Sequence, residues 1–183
     1  ARDRTLRTLP AAPFMHGAAN WNALSAWLSG GAVLVQDTTD RYDAGDVVAT
    51  CAREGATALL LVGDAFARPL VDELRARPVE LQLRHLLTGG TILSAPVKQA
   101  LMELIPGVTI VDVLGSSETG RQAVTTSSGR EAATTGTFVP EATTVVVDGD
   151  RQRVLAPGED EIGWLAQAGL VPLGYLGDPA KTE

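Results

Sequence analysis

Residues 83–120 decide the fold, and they read LRHLLTGGTILSAPVKQALMELIPGVTIVDVLGSSETG. Apolar stretches at 83–87 and 108–114 predict two strands. Between them, apolar residues recur at helical spacing: Val97, Leu101, Leu104 and Ile105. Ser94 is suited to begin this helix and Pro106-Gly107 to end it. A strand, a helix and a second strand predict a βαβ unit on a parallel sheet.

The same alternation occurs upstream. Residues 32–35 and 58–62 are short apolar runs of the kind found in strands covered on both faces. Residues 20–28 and 43–54 are predicted helices, each followed by glycine. Together these patterns predict an α/β fold built from three to four βαβ units.

The composition changes after Gly120 to Thr, Ser, Gly and Val with turn residues. Residues 143–147, 153–156 and 162–167 read as antiparallel β structure, and the polar residues 127–131 read as a loop. We therefore predict an α/β domain over 1–120. We expect residues 121–183 to form a β-rich, barrel-like segment that is incomplete at its C-terminal end.

Composition excludes several classes of protein. Hydrophobic residues make up 45% and charged residues 20% of the 183 residues, which is ordinary for a globular protein. A net charge of −7 argues against nucleic-acid binding, because phosphate neutralisation requires a basic face. The single cysteine, Cys51, cannot form an internal disulfide, and no apolar run is long enough to span a membrane. We expect a cytoplasmic protein.

Candidate chemistry follows two of the predicted strands. Thr88-Gly89-Gly90-Thr91 would let a flat group approach the backbone, because glycine has no side chain. Gly115-Ser116-Ser117-Glu118 offers hydroxyl donors for a phosphate and a carboxylate for magnesium. Taken alone, the glycines fit a plain turn and Glu118 fits a solvated surface residue. His16 fits a structural role as well as an active one, and for His85, within an apolar strand, a structural role is favoured.

The order of four blocks resembles the adenylate-forming (AMP-binding) superfamily, which includes acyl-CoA synthetases, luciferases and peptide-synthetase adenylation domains. Pro13-Phe14-Met15-His16-Gly17 resembles its Pro-x-x-His-Gly segment. Residues 89–94 resemble its Gly-Gly-Ala-Pro-Leu-Ser block, and Leu114 to Glu118 resemble Tyr-Gly-x-Thr-Glu. The last block is similar to a spaced family pattern and consists of Gly163-Trp164-Leu165, Gly169, Gly174-Tyr175, Pro179 and Thr182.

This resemblance implies an ATP site and a magnesium site. The implied ATP or AMP contacts are Gly89, Gly90, Thr91, Val113, Leu114, Gly115, Ser116 and Ser117. His16, Ser117 and Glu118 would be catalytic residues, with Glu118 holding magnesium. The last block is expected to be structural. Leu114 stands where the family has an aromatic residue, so apolar packing would replace ring stacking on adenine.

Three family elements are missing from the sequence: the Lys-containing phosphate loop, the ribose-binding Asp and the small domain with the catalytic Lys. Neither Lys98 nor Lys181 occupies the place of that lysine. We therefore expect a middle fragment that is inactive by itself, whereas the parent would be an acid-thiol ligase. Removal of the neighbouring segments of the parent would expose apolar surface and unpaired strand edges in the fragment. Such surfaces favour self-association, so we expect a possible homo-oligomer.

The substrate class is suggested by a missing charge. The loop after Phe14 lacks the Asp that amino-acid-activating members carry, which favours an apolar carboxylic acid. The implied acyl pocket consists of His16, Ala18, Ala19, Trp21, Gly89 and Gly90. The sequence most resembles bacterial fatty-acyl-CoA or sterol side-chain acid ligases of lipid metabolism, with CoA as co-substrate. An acyl-AMP ligase, a carrier-protein adenylation domain and a truncated non-catalytic binding module remain open.

Overall fold

A computed structural model describes residues 6–129 and 132–182 of the chain. These residues form two compact units. Unit 1 consists of the described residues up to Val113 and those within Thr125–Thr137. Unit 2 consists of Leu114–Val124 and the described residues from Phe138 onward. Arg130 and Glu131, in the predicted loop 127–131, lie outside the described residues, and the division into 1–120 and 121–183 stays a prediction.

Unit 1 is organised around a parallel sheet, as predicted. Its strands are β1 (Arg7–Pro10), β2 (Ala32–Val33), β3 (Ala58–Leu61), β4 (His85–Gly89) and β5 (Thr109–Ser116), of which β5 leaves the unit after Val113. The order is β2-β1-β3-β4-β5, and each neighbouring pair is parallel. Because every strand runs the same way, their carboxyl ends lie at one edge of the sheet, where parallel sheets bind ligands.

Four helices connect these strands: α1 (Gly17–Leu28), α2 (Ala44–Glu54), α3 (Gly63–Ala76) and α4 (Ala95–Leu104). The ends of α2 follow the sequence signals. Asp43 accepts a hydrogen bond from the amide of Asp46 at 3.0 Å, and Gly55 adopts a left-handed φ of 60° after the last turn. Ser94 precedes α4 as predicted, but its side chain does not cap the helix, because the hydroxyl bonds Asp64 instead.

The sheet is buried on both faces. Leu59 and Leu61 of β3 pack into the larger core with residues of α2, α3 and α4, whereas Leu60 packs with Ala19 of α1 on the other face. All of β3 is buried, which explains its uninterrupted apolar sequence. The α/β fold class predicted from the sequence is therefore confirmed.

Two elements of unit 1 were not predicted, β1 and α3. β1 is four residues long and contains Pro10, so its sequence gives little strand signal. α3 contains Pro69, which argues against a helix interior, although its buried residues recur at helical spacing: Ala67, Leu70, Val71 and Leu74. Tertiary packing of that apolar face outweighs the local cost of the proline.

Unit 2 contains antiparallel pairs, as predicted. β6 (Gly120–Ser127, in unit 2 as far as Val124) pairs with β7 (Val139–Pro140), and β8 (Thr144–Val147) pairs with β9 (Trp164–Gln167). The predicted strand at 153–156 contributes only a bridge between Val147 and Val154. The short helix α5 (Pro179–Thr182) follows. Within the described part of unit 2, β8 and β9 form a two-stranded sheet and not a closed barrel.

Candidate functional site

The predicted site residues are divided between the two units. Unit 1 contains His16, Ala18, Ala19, Trp21, Gly89, Gly90, Thr91 and Val113. Unit 2 contains Leu114, Gly115, Ser116, Ser117 and Glu118, which follow Val113 directly in the chain. Each unit therefore holds its own set of candidate groups.

Gly89 and Gly90 form a flat backbone surface where β4 ends. Gly89 lies opposite Val113 of β5, and a Cβ added to Gly89 would lie 2.8 Å from the Val113 carbonyl oxygen. Gly90 has a left-handed φ of 81°, which side chains rarely adopt. Gly90 and Thr91 are exposed. The two strand ends thus present accessible peptide groups at the edge of the sheet that favours ligands.

The turn between β3 and α3 holds this glycine loop. Asp64 accepts hydrogen bonds from the Ser94 amide at 2.8 Å and from the Ser94 hydroxyl at 2.8 Å. Its own amide donates to the Ile92 carbonyl at 2.9 Å. The Gly63 amide donates to the Thr88 hydroxyl at 3.0 Å. The sequence analysis did not identify Gly63 or Asp64, although their position directly after a predicted strand was an available signal.

The Asp64 carboxylate is stabilised in its charged form. Partial burial acts to raise its pKa, but hydrogen bonds from Ser94 and from Arg68 outweigh burial and hold the pKa below its usual range. Arg68 lies one helical turn away, with Nη2 2.7 Å from the carboxylate, and is largely exposed. Asp64 therefore remains an acceptor at neutral pH.

Unit 1 also contains a buried ion pair. Lys98 of α4 is completely buried, and its Nζ lies 2.8 Å from Oδ2 of Asp112 on β5. Nζ also donates to the Thr134 carbonyl at 2.9 Å. The Asp112 side chain is only 6% exposed and is neutralised by a lysine from the covering helix, so Asp112 lies in a covered strand.

The residues around His16 lie at the start of α1. His16 is the residue before the helix and is exposed, and its carbonyl accepts from the Asn20 amide at 3.2 Å. Ala18 is exposed and Trp21 is half exposed. Ala19 is fully buried against Leu60. The acyl role that the resemblance gives these residues stays a prediction.

A cavity of about 210 Å³ lies between α1 and the sheet. Its lining is mainly apolar and consists of Leu6, Thr8, Asn22, Ser25, Ala26, Ala58, His85, Leu87 and Val111. Thr8 and Asn22 satisfy each other through a 2.8 Å hydrogen bond. His85, for which the sequence favoured a structural role, is exposed at the first residue of β4 and lines this cavity.

In unit 2, Leu114 to Glu118 are exposed and continue into a tight turn. The Ser116 hydroxyl accepts from the Thr119 amide at 3.2 Å and contacts the Thr119 hydroxyl at 3.0 Å. A Cβ on Gly115 would collide with the Gly120 carbonyl oxygen, so the two backbone segments pass as closely as glycine permits. The turn presents the Ser116, Ser117 and Glu118 side chains to solvent.

Glu118 has a partner that the sequence analysis did not identify as functional. The Tyr175 hydroxyl donates to Glu118 Oε1 at 2.7 Å and lowers the carboxyl pKa, whereas the same bond raises the Tyr175 pKa. The Tyr175 amide in turn donates to the Thr182 hydroxyl at 3.0 Å. A Cβ on Gly174 would collide with Thr182. The last sequence block therefore has a structural role, as expected, and also places a tyrosine on Glu118.

The donor set of the turn is compatible with magnesium. Magnesium is commonly held by one or two carboxylates, substrate phosphates and water. Glu118 supplies one exposed carboxylate beside two serine hydroxyls. Within residues 6–129 and 132–182, no group of three or more His, Cys, Asp or Glu side chains could hold a metal ion. Phosphate oxygens and water would supply the other ligands.

The family of the chain is established by comparison with known proteins. The model of the family described as AMP-binding enzyme matches residues 1–174. This chain belongs to the AMP-binding enzyme family. The four sequence blocks and the parallel sheet are thereby explained together.

None of the helices in the described part of the chain is long and apolar enough to cross a membrane.

Two curated relatives indicate the branch of the family. The chain is 43% identical over 171 residues to the medium-chain acyl-CoA ligase Mig of Mycobacterium avium, covering 93% of this chain and 31% of Mig. It is 34% identical over 176 residues to a medium/long-chain-fatty-acid–CoA/3-oxocholest-4-en-26-oate–CoA ligase of Mycobacterium tuberculosis. That match covers 94% of this chain and 31% of the ligase. The chain thus spans about a third of the length of these relatives.

Solved structures agree with the fold. The chain aligns over its whole length with 32% of holo-PA1221, a nonribosomal peptide synthetase protein containing adenylation and carrier domains. The TM-score is 0.75 at 27% identity. The predicted fold is therefore confirmed both by the family match and by this structural similarity.

Proposed function

We propose that this chain is part of an ATP-dependent, AMP-forming acyl-CoA ligase that acts on medium- or long-chain fatty acids or on sterol side-chain acids. The observation that carries the proposal is the 43% identity to an acyl-CoA ligase over nearly the whole chain. A second ligase, whose name includes both fatty and sterol acids, supports the same substrate class. We place the reaction in the cytoplasm, where the single Cys51 would stay reduced.

The proposed reaction has two steps. A carboxylate oxygen attacks the α-phosphorus of ATP, the bond to the bridging oxygen breaks, and pyrophosphate leaves with the electron pair. The product is an acyl-adenylate. The sulfur of CoA then attacks the acyl carbon, AMP leaves, and the thiol proton passes to solvent. AMP is a much better leaving group than the oxide of a free carboxylate, which is why the first step is needed.

The nucleotide would contact the residues that the family resemblance implies. Gly89, Gly90 and Thr91 would lie along one side of the adenine, where exposed peptide groups meet a flat ring. Val113 and Leu114 would contribute apolar contacts in place of a stacked aromatic ring. The Gly115 backbone would lie beside the phosphates, next to the hydroxyls of Ser116 and Ser117. Those hydroxyls would donate to the α-phosphate as its charge changes during attack.

Glu118 is proposed as the magnesium ligand. A carboxylate with a lowered pKa stays charged and is suited to a hard cation. Magnesium, when bound, would neutralise charge on the phosphates. Hydrogen bonds from Tyr175, from the Glu118 amide and from Ser116 hold the carboxylate in its charged form. His16 would lie beside the carboxylate being activated and orient it.

The acyl group would lie along α1. His16, Ala18 and Trp21 are accessible near the start of the helix, and Gly89-Gly90 leaves space beside the sheet edge. Ala19 is fully buried, and its small side chain would let α1 pack closely on the sheet beside the acyl group. The cavity under α1 is smaller than typical ligand pockets of about 300–1,000 Å³, so it would hold only part of an acyl chain.

The second candidate is an adenylation domain that delivers its acyl group to a carrier protein. The observation in its favour is the 27% identity with holo-PA1221, whose printed description includes adenylation and carrier domains. The lower identity and the absence of an Asp after Phe14 make it the weaker candidate. The acceptor thiol discriminates between the two.

The test uses the full-length protein that contains this chain, with ATP, magnesium and a series of acids. Fatty-acid-dependent AMP release and acyl-CoA formation are expected. Glu118→Ala should lower the rate about a hundredfold or more, because it removes an electrostatic contact to the reacting phosphates. Glu161→Ala is the matched control, since Glu161 is another exposed carboxylate of unit 2 and is paired with Arg153.

Three results would count against the proposal. Amino-acid-dependent pyrophosphate exchange without fatty-acid-dependent exchange would exclude the substrate class. Acyl transfer to a phosphopantetheinyl carrier but not to CoA would favour the second candidate. An unchanged rate in Glu118→Ala would remove Glu118 from the site while leaving the ligase activity intact.

A further inference from the structure

The glycine loop at the end of β4 is fixed almost entirely from outside itself. Gly89 and Gly90 have no side chains, and glycine has more backbone freedom than any other residue. A loop of this composition can present peptide groups to a ligand only if neighbouring atoms hold it. In unit 1 these neighbours are Gly63 and Asp64, the first two residues of α3. We call Gly63 and Asp64 the loop clamp.

Asp64 contacts both the inside and the end of the loop. Its amide donates to the Ile92 carbonyl at 2.9 Å, while its carboxylate accepts from the Ser94 amide at 2.8 Å. The Ser94 hydroxyl adds bonds of 3.1 and 2.8 Å to the two carboxylate oxygens. One residue therefore fixes a carbonyl, an amide and a hydroxyl within three consecutive positions.

Gly63 fixes the beginning of the loop. Its amide donates to the hydroxyl of Thr88, which is 1% exposed and directly precedes Gly89. A Cβ on Gly63 would collide with Thr91 Oγ1 and lie 2.6 Å from the Ile92 carbonyl oxygen. The loop thus rests directly on the Gly63 backbone, which has a φ of 51°. Both sides of Gly89-Gly90 are anchored to the same turn.

The position of Ser94 makes the contact with Asp64 unusual. Serine before a helix ordinarily accepts from a helical amide with its own side chain. Here the Ser94 hydroxyl donates to Asp64, and the carboxylate also takes the Ser94 amide. The charge of Asp64 is balanced on its solvent side by Arg68, which is 63% exposed. Asp64 therefore orders the loop but is not one of the predicted adenine contacts Gly89, Gly90 and Thr91.

We propose that Asp64 is a positioning residue for the nucleotide, acting through the loop Thr88–Ser94. This inference rests on the proposed function, because it takes Gly89, Gly90 and Thr91 as the adenine contacts. Loss of the carboxylate would leave the Ser94 amide unpaired and free the loop to move. Adenine contacts made by the loop backbone would then weaken, whereas CoA binding, in which the loop has no proposed part, would not change.

The experiment measures AMP binding by titration calorimetry with the full-length protein, alongside steady-state kinetics. Asp64→Ala should weaken AMP binding and raise KM for ATP by about tenfold or more, in line with the cost of misplacing a binding group. KM for CoA should stay within about twofold. Asp64→Asn keeps an acceptor for the Ser94 amide and should recover most of the affinity.

Arg68→Ala is the matched control. It removes the solvent-side partner of Asp64 but none of the bonds to the loop, so AMP affinity should not change. An equal rise in KM for CoA in Asp64→Ala would indicate a general structural role and overturn the inference. So would unchanged AMP binding in Asp64→Ala, or no recovery in Asp64→Asn.

The two proposals fail in different ways. If the unaltered protein does not bind AMP, the proposed function fails and the inference falls with it. If the unaltered protein binds AMP and Asp64→Ala binds it equally well, only the inference fails. If Asp64→Ala does not fold, Ser94→Ala decides, because it removes the hydroxyl bonds to Asp64. Weaker AMP binding with an unchanged KM for CoA supports the inference, and unchanged AMP binding overturns it.

Discussion

Replacing Lys98 by methionine should destabilise unit 1 by about 3–5 kcal/mol. Methionine is similar in length but cannot neutralise Asp112, whose side chain is only 6% exposed, so a carboxylate would be left without its partner. The Thr134 carbonyl would lose its 2.9 Å donor as well. Both losses act in the same direction, because a buried polar group without a partner keeps its full desolvation cost.

The size of the effect makes it easy to measure. A domain is typically stable by about 5–15 kcal/mol, so the loss would be a large fraction of the total. For a chain of this size, about 3–5 kcal/mol corresponds to a fall in Tm of roughly 6–20 °C. A surface ion pair, by comparison, contributes about 0–1 kcal/mol. The burial of Lys98 is what separates these two magnitudes.

Cys51 provides an assay specific to unit 1. It is the only cysteine of the chain, it lies in the larger core at 1% exposure, and burial raises its thiol pKa to about 12. The folded unit should therefore resist a maleimide reagent at neutral pH, and brief labelling across a urea series should report the unfolding of unit 1 alone. The midpoint and slope together give the free energy of unfolding.

Lys181→Met is the matched control, since Lys181 is the other lysine and its side chain is 73% exposed. It should unfold as the unaltered chain does. The double variant Lys98→Met/Asp112→Val should be more stable than Lys98→Met alone, because an apolar pair no longer leaves a charge buried. If Lys98→Met lies within about 0.5 kcal/mol of the unaltered chain, or the double variant is no more stable than the single one, the reasoning is wrong.

Three further predictions follow from contacts within one unit. Gly63→Ala should destabilise the chain by about 1–3 kcal/mol, because alanine would adopt a strained left-handed conformation and collide with Thr91. An unchanged midpoint in urea unfolding would contradict the close contact between Gly63 and Thr91. Tyr175→Phe should raise the pKa of Glu118 toward the ordinary glutamate value, because it removes the Tyr175 hydrogen bond that lowers this pKa. NMR titration of the Glu118 carboxyl measures the shift, and an unchanged pKa would contradict the contact. The stability contributed by Asp64 is present above the unfolded-state pKa and should be lost as pH falls through its lowered folded-state pKa. The free energy of unfolding of Asp64→Asn should therefore fall less steeply with acid than that of the unaltered chain. An equally steep fall would contradict this assignment.

Much of the fold could be predicted from the sequence because local signals agree with tertiary packing. The helix over 44–54 begins and ends at residues that suit its ends, and the strand over 58–61 is apolar throughout because both of its faces are buried. α3 was missed because Pro69 obscures a helix whose apolar face is otherwise regular. β1 was missed because its sequence, Arg7-Thr8-Leu9-Pro10, has polar residues and a proline in place of an apolar run.

The sequence by itself determined the order of the blocks, and with it the family: glycines after one strand, a Ser-Ser-Glu turn after the next, and the alternation that builds a parallel sheet. These features are local, so they are recorded in neighbouring residues. Only the tertiary structure decided which distant side chains support them. Asp64 bonds Ser94, 30 residues away; Lys98 is buried against Asp112; and Tyr175 bonds Glu118, 57 residues away. Such pairs depend on which strands and turns become neighbours, and the spacing of residues along the chain does not specify that.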